Sequence, residues 1–552
     1  MGNLSRLPSS SKPMAVVAML MAVALTVAPH RCKAATGAAD ELETECLSVP
    51  MSVFTDALRS TMDGVLNVAA MVARFAGMFG GDFRVANAIT DCLDLLDLSS
   101  QELDWSLYAS QNGKGNGTGD LGSDLKTWLS AALGNQDTCL DGFEGTNSIV
   151  KTLVAGSINQ VSSLVQQILH MVHPTPPRAP MAARAKAVRL GGGRRLLAET
   201  DVDGFPAWVS PKDRKLLQTT GSGLTPDVIV AQDGTGNFTQ IMDAVHAAPD
   251  HNTGRFVIYI KKGVYNENVE IKRKKTNIMM YGDGMDVTII TGNRSFIDGW
   301  TTYRSATFGV SGAGFIARDL TIQNTAGPEK HQAVAFRSDS DLSALYRCAF
   351  RGYQDTLYAH SSRQFYRECT ITGTVDFMFG DAVAVFQNCQ IQARKGLPNQ
   401  KNTITAQGRK DPGENTGFSI QFCNITGDSS LLAAPTNGSV AGNQTASTTY
   451  TYLGRPWKAY SRTVIMESYI SDLVRPEGWL EWNGDLFLDT LYYAEYINSG
   501  PGASLGSRVN WAGYHVFNSS VQANNYTVAQ FLGGDLWLPS TGVRFISGLS
   551  NV

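Results

Sequence analysis

Four polar residues, Gln332, Gln354, Asp355 and Asp376, stand inside runs that otherwise read as packed interior. Asp355 and Asp376 are 21 residues apart, and Gln332 and Gln354 are 22 apart. In a chain that coils with a period in the low twenties, such spacings place side chains one coil apart on a common face. Two carboxylates so placed do not both ionise easily: one pKa rises while the other group stays charged. That is a general acid beside a nucleophile or base. A lone aspartate is commonly a capped turn residue, but two aspartates and two glutamines at coil spacing point to chemistry.

The elements that must hold these residues follow from residue 222 onward. Short β-branched and aromatic runs, such as Phe256–Ile260 and Val287–Ile290, alternate with turns. A unit then recurs around Leu320, Cys348, Cys369, Cys389 and Cys423. The steps from Cys348 to Cys369 and from Cys369 to Cys389 are nearly equal; those from Leu320 to Cys348 and from Cys389 to Cys423 are longer. Such a period with loop insertions predicts a parallel β-helix over residues 222–552, its alternate apolar positions filling one core. Adjacent coils lie about 4.8 Å apart, within the Cα range of a disulfide. Cys369 and Cys389 are therefore expected to pair, and Cys348 and Cys423 to be buried thiols.

The 552 residues carry a net charge of −3, which argues against a nucleic-acid partner. Residues 36–173 alone hold 17 acidic and 6 basic side chains, whereas residues 174–218 hold 9 basic and 4 acidic. The acidic stretch has apolar residues at helical spacing (Val65, Val68, Met71, Val72, Phe75) and predicts a four-helix bundle. Cys92 and Cys139 fall on different predicted helices and can be bridged; Cys46 has no evident partner. The basic stretch, 174–221, has linker composition and two exposed basic pairs, Arg194-Arg195 and Arg214-Lys215, open to a processing protease. Arg6 and Lys12 ahead of the apolar run Met14–Ala28 predict a signal peptide over residues 1–35. Beyond residue 35, eight Asn-x-Ser/Thr triplets, at Asn116, Asn237, Asn293, Asn424, Asn437, Asn443, Asn518 and Asn525, agree with secretion.

Two resemblances sharpen this. Asp91-Cys92-Leu93-Asp94, Thr127-Trp128-Leu129-Ser130 and Gln136-Asp137-Thr138-Cys139 resemble the pectin methylesterase inhibitor domain, which plants fuse ahead of the esterase. Arg194-Arg195-Leu196-Leu197 and Arg214-Lys215-Leu216-Leu217 resemble the processing sites of such pro-forms. In the larger part, Gly263-Val264-Tyr265-Asn266-Glu267, Gln332-Ala333-Val334-Ala335, Gly352-Tyr353-Gln354-Asp355-Thr356-Leu357, Asp376-Phe377-Met378-Phe379-Gly380 and Leu453-Gly454-Arg455-Pro456-Trp457 resemble the five signature stretches of pectin methylesterases, in family order.

The resemblance implies a right-handed parallel β-helix that hydrolyses methyl esters of pectin. It makes Asp376 the nucleophile, Asp355 the acid and then the base, and Gln332 and Gln354 the oxyanion donors. Arg455 would hold Asp376, Trp457 would pack on a sugar ring with Thr302 as a further substrate contact, and Tyr353 and Phe377 would line the cleft. No cofactor or metal is expected, no zinc spacing is present, and a serine esterase of the α/β-hydrolase kind is not expected. His331, turned from Gln332 by alternation, reads as structural or surface. The expected partners are pectin, the chain's own pro-domain and a processing protease, with a secreted monomer in the cell wall after processing. The rival readings are a polygalacturonase or pectate lyase on the same fold, or a non-catalytic pectin-binding wall protein.

Overall fold

A computed structural model describes residues 46–79, 81–113, 117–146, 149–174, 225–432 and 449–550. The signal-peptide expectation, the basic pairs at Arg194-Arg195 and Arg214-Lys215, and Asn116, Asn437 and Asn443 lie outside the described residues.

Four helices come first: α1 (Met51–Ala73), α2 (Phe83–Asn112), α3 (Leu121–Asp141) and α4 (Val150–Met171). Asp82 caps α2 by accepting from the Val85 amide at 3.1 Å, and Asp120 caps α3 through Ser123 at 3.2 Å. Gly113 ends α2 in the left-handed region, at φ 63°. The apolar stripes meet in a core that includes Phe54, Leu58, Val65, Leu95, Leu129, Val154 and Val165. The Cys92–Cys139 disulfide ties α2 to α3. Cys46 is also disulfide-bonded, although the sequence offered it no evident partner.

From Val228 the chain winds as parallel strands, every ladder joining one coil to the next. A seven-stranded sheet runs in space as Val269–Ile271, Phe308–Val310, Phe336–Ser338, Leu357–Ala359, Met378–Gly380, Asn402–Gln407 and Thr451–Gly454. Its register passes from Phe336 to Leu357 and from Leu357 to Met378, the same step each time and the one that separates Asp355 from Asp376. The opposite corner of each coil is a single residue at positive φ: Asp319, Arg347, Glu368, Asn388, Phe422, Glu467 and Ile497. One left-handed residue, within a strand at Asp319 and Arg347 and between strands at the others, turns the chain sharply without a glycine, at a steric cost the stacked ladders offset. Inside, rings stack along the axis, with Phe336 5.7 Å from Phe308, 5.1 Å from Phe350, and Phe350 5.9 Å from Tyr366.

Cys348, Cys369, Cys389 and Cys423 stand in register in this core, as the repeat implied, but all four are free thiols. The expected Cys369–Cys389 disulfide is therefore corrected. In-register side chains on parallel strands project side by side at the strand spacing of about 4.8 Å, beyond the Cβ separation of about 3.5–4.5 Å a disulfide needs. Each thiol instead faces backbone carbonyls, Cys369 Sγ lying 3.4 Å from the oxygens of Leu345 and Arg367.

Phe350 is fully buried in the middle of this ring stack. Phe350→Ala is expected to lower unfolding stability by about 3–5 kcal/mol in denaturant titration; a loss under about 1 kcal/mol would contradict a continuous close-packed core.

Candidate active site

The two aspartates sit at corresponding corners of adjacent coils, each two residues before a strand of the seven-stranded sheet. Both take positive φ, 62° at Asp355 and 51° at Asp376, a conformation tolerated best by short polar side chains. Alternation from that corner sends the next residue inward. Phe377 is accordingly buried in the β-helix core, which corrects its reading as a cleft residue. Tyr353 does not line the cavity either. Its ring lies under the Arg394 guanidinium at 4.3 Å, held there by a cation–π contact.

Asp376 is gripped from three directions. Arg455 donates from Nε to Oδ1 at 2.8 Å and from Nη2 to Oδ2 at 2.7 Å, a two-pronged charged pair. Thr403 Oγ1 donates to Oδ1 at 2.7 Å and accepts from the Asp376 amide at 2.8 Å. The Arg455 guanidinium lies 4.3 Å over the Trp482 ring. Burial works against its charge, but the bond to Asp376 prevails and raises the Arg455 pKa.

Asp355 is buried and lacks any such partner cation in contact. Burial first, and the charge of Asp376 second, push its pKa well above the carboxylate range, with Arg455 opposing. The pair is thus split into a proton holder and a carboxylate clamped by arginine.

A cavity of about 370 Å³ opens over both groups. Gln332, Gln354, Thr302, Arg455 and Trp457 line it alongside Asp355 and Asp376. Trp457 meets Phe379 edge-on at 5.9 Å, and Phe379 stacks on Tyr358 at 4.1 Å. Gly408 leaves room for the indole, since a Cβ there would lie 2.9 Å from the Trp457 ring. His331 is exposed.

Tyr358, Phe379, Thr403 and Trp482 were missed. Tyr358 and Phe379 repeat the step between the two aspartates, a signal within reach. Thr403 stands beyond an insertion that lengthens the coil after Asp376, and Trp482 comes from an irregular stretch with no period.

The helical module covers this cavity. Thr138, Asp141, Gly142 and Glu144, at the end of α3 and just beyond, form part of its wall. Ion pairs surround the contact: Arg304 with Asp91 at 2.5 Å and Asp94 at 2.8 Å, Lys410 with Asp137 at 2.6 Å, and Lys458 with Asp141 at 3.2 Å. Arg363, fully buried, bridges Asp341 of the β-helix and Asp124 of α3, while Trp128 Nε1 donates to Asp341 at 3.0 Å. The bundle's apolar cluster continues onto Tyr303, Val334, Tyr358, Phe379 and Ala406.

Family comparison agrees with both halves. Residues 227–535 match the Pectinesterase family model, and residues 17–171 match that of the plant invertase/pectin methylesterase inhibitor family. A pectinesterase/pectinesterase inhibitor of Prunus persica is 64% identical over 508 residues, 92% of this chain and 91% of its own length. A probable pectinesterase/pectinesterase inhibitor of Arabidopsis thaliana is 61% identical over 519 residues, 94% of this chain and 95% of its own. The solved pectin methylesterase from carrot superposes with a TM-score of 0.57 at 50% identity, covering 60% of this chain and all of the carrot chain. These matches do not favour a polygalacturonase, a pectate lyase or a mere pectin-binding protein. The chain belongs to the pectinesterase family, enzymes that hydrolyse the methyl esters of pectin, and carries an inhibitor-like helical domain ahead of its esterase domain.

Proposed function

We propose that Asp376 and Asp355 divide the ester hydrolysis between them as nucleophile and proton carrier. The Asp376 carboxylate attacks the C6 carbonyl carbon of a methyl-esterified galacturonate. Gln332 and Gln354 donate hydrogen bonds to the oxyanion that forms. As the tetrahedral centre collapses, the C6–OCH3 bond breaks and Asp355 gives its proton to the departing methanol. The Asp355 carboxylate left behind takes a proton from water, whose oxygen attacks the acyl-enzyme and releases a free uronate and Asp376. Arg455 holds Asp376 aimed throughout by its two-pronged pair, and Trp457 offers a ring face to the sugar. The observation that carries this reading is the split pair: Arg455 forked onto Asp376, beside an Asp355 pushed towards its neutral form.

The chain enters the secretory pathway and works in the cell wall as a monomer, after a protease cuts at Arg194-Arg195 or Arg214-Lys215. Before that cut the helical module keeps polymer out of the cavity it walls. Its acidic composition adds repulsion for a polyanionic substrate. The divisions at residues 35, 173 and 221 mark the signal peptide, the inhibitor-like domain, the linker and the esterase domain.

Residues 222–552 are expected to release methanol from highly methylated pectin. Asp376→Asn abolishes this, and Asp355→Asn lowers kcat about 10²–10⁴-fold. Methanol release by Asp376→Asn at the parent rate would remove the nucleophile from this scheme. The full chain is expected to release methanol at least about tenfold more slowly than residues 222–552; equal rates would show that the module does not close the site.

A further inference from the structure

The row of the seven-stranded sheet that carries the two aspartates has two further members. Register passes from Phe336 to Leu357, Met378 and Thr405 on successive coils. Two residues earlier, the same row reads Val334, Asp355, Asp376 and Thr403. The carboxylate pair is therefore flanked unequally, by an apolar side chain on the coil before Asp355 and by a hydroxyl on the coil after Asp376. Val334 and Thr403 are both fully buried, and neither lines the cavity.

The Thr403 hydroxyl has a fixed sense. It accepts from the Asp376 amide at 2.8 Å, so its own hydrogen is left for Asp376 Oδ1, 2.7 Å away. Oδ1 also takes Arg455 Nε at 2.8 Å. Among the described residues, Oδ2 takes Arg455 Nη2 alone, at 2.7 Å. Each carboxylate oxygen offers about two lone-pair sites. Both are engaged at Oδ1, and one stays open at Oδ2. Because one hydroxyl ties the Asp376 backbone to the Asp376 carboxylate, it restrains the side-chain torsions as well as the choice of oxygen.

We infer that Thr403 is a positioning residue that leaves Asp376 Oδ2 as the attacking atom. This rests on the esterase reading above. The bond that forms is Oδ2–C6, and the carbonyl π pair moves onto the oxyanion. Methanol leaves with the Asp355 proton, and Asp376 becomes a mixed anhydride with Oδ1 as its carbonyl oxygen. Water then attacks C6 and gives its proton to Asp355, while the Oδ2–C6 bond breaks and its electron pair returns to the carboxylate. Charge spreads back onto Oδ1, where the Thr403 hydrogen already points. Thr403 serves both halves of the reaction without touching the substrate.

Residues 222–552 suit the test, because their principal core contains no helical-module residue and the carrot enzyme is matched over its whole chain by 60% of this one. Thr403→Val removes the hydroxyl and is expected to lower kcat for methanol release about 10–100-fold. KM on methylated pectin should stay within about twofold of the parent. Thr403→Ser, which keeps the hydroxyl, recovers most of the rate. A folded valine variant with the parent kcat, or a loss that serine does not repair, overturns the role. A crystal structure with an oligogalacturonate carrying an N-methyl amide in place of the methyl ester tests the atom without any substitution, and so decides even where the valine variant does not fold. Oδ2 is expected nearest the amide carbon; Oδ1 nearest overturns the assignment. A parent that releases no methanol overturns the esterase reading and this role with it, whereas a working parent beside an unimpaired valine variant overturns the role alone.

Discussion

The stacking of one coil on the next is the constraint on which the site depends. The hydrogen-bonded ladder sets adjacent coils one strand spacing apart, so Asp355 and Asp376, separated by one turn of the coil, become neighbours whatever their charges prefer. The repulsion is met by asymmetry. Arg455 and Thr403 take hold of one carboxylate, while burial keeps the proton on the other. The fold supplies the separation, and the few side chains around it decide which aspartate does what. Core rings such as Phe336 and Phe350 serve the chemistry indirectly, by holding the ladder in register.

The same cavity explains why the two halves fit. An acidic bundle meets cationic side chains flanking the cleft, and its apolar cluster runs on across the cleft floor to Tyr358, Phe379 and Ala406. Buried ion pairs such as Arg363 with Asp124 and Asp341 contribute little net stability because desolvation offsets them. They do specify one seating of α3, since any other leaves a buried charge without its partner. A module held by apolar contact and matched charges covers the site.

Much of this was legible in the residues. The repeat around Leu320, Cys348, Cys369, Cys389 and Cys423 led to the coil register, and the spacing of Asp355 and Asp376 led to the shared cavity. Errors arose where one more physical rule was needed. Alternation beside a left-handed corner turns Phe377 into the core, and in-register thiols stand too far apart at Cβ to join, so Cys369 and Cys389 stay free. Thr403 and Trp482 lie beyond insertions that break the period. The seating of α3 on the cleft depends on pairs remote from one another in sequence, such as Trp128 with Asp341. Only the charge contrast between segments hinted at it.

The central claim is that burial first, and the charge of Asp376 beside it second, keep one proton on Asp355. It is tested most directly by following the aspartate carboxyl carbons of the labelled full chain through a pH titration by NMR. Asp355 is expected to titrate well above the ordinary carboxylate value of about 3.9, and to move down in Asp376→Asn, which removes the neighbouring charge while leaving burial in place. The sign also fixes the linkage: with its folded pKa raised, Asp355 favours the folded state at low pH, and that contribution is lost as pH rises through the folded value. An Asp355 signal that titrates in the ordinary range, or that does not move in Asp376→Asn, would contradict the division of roles between the two aspartates.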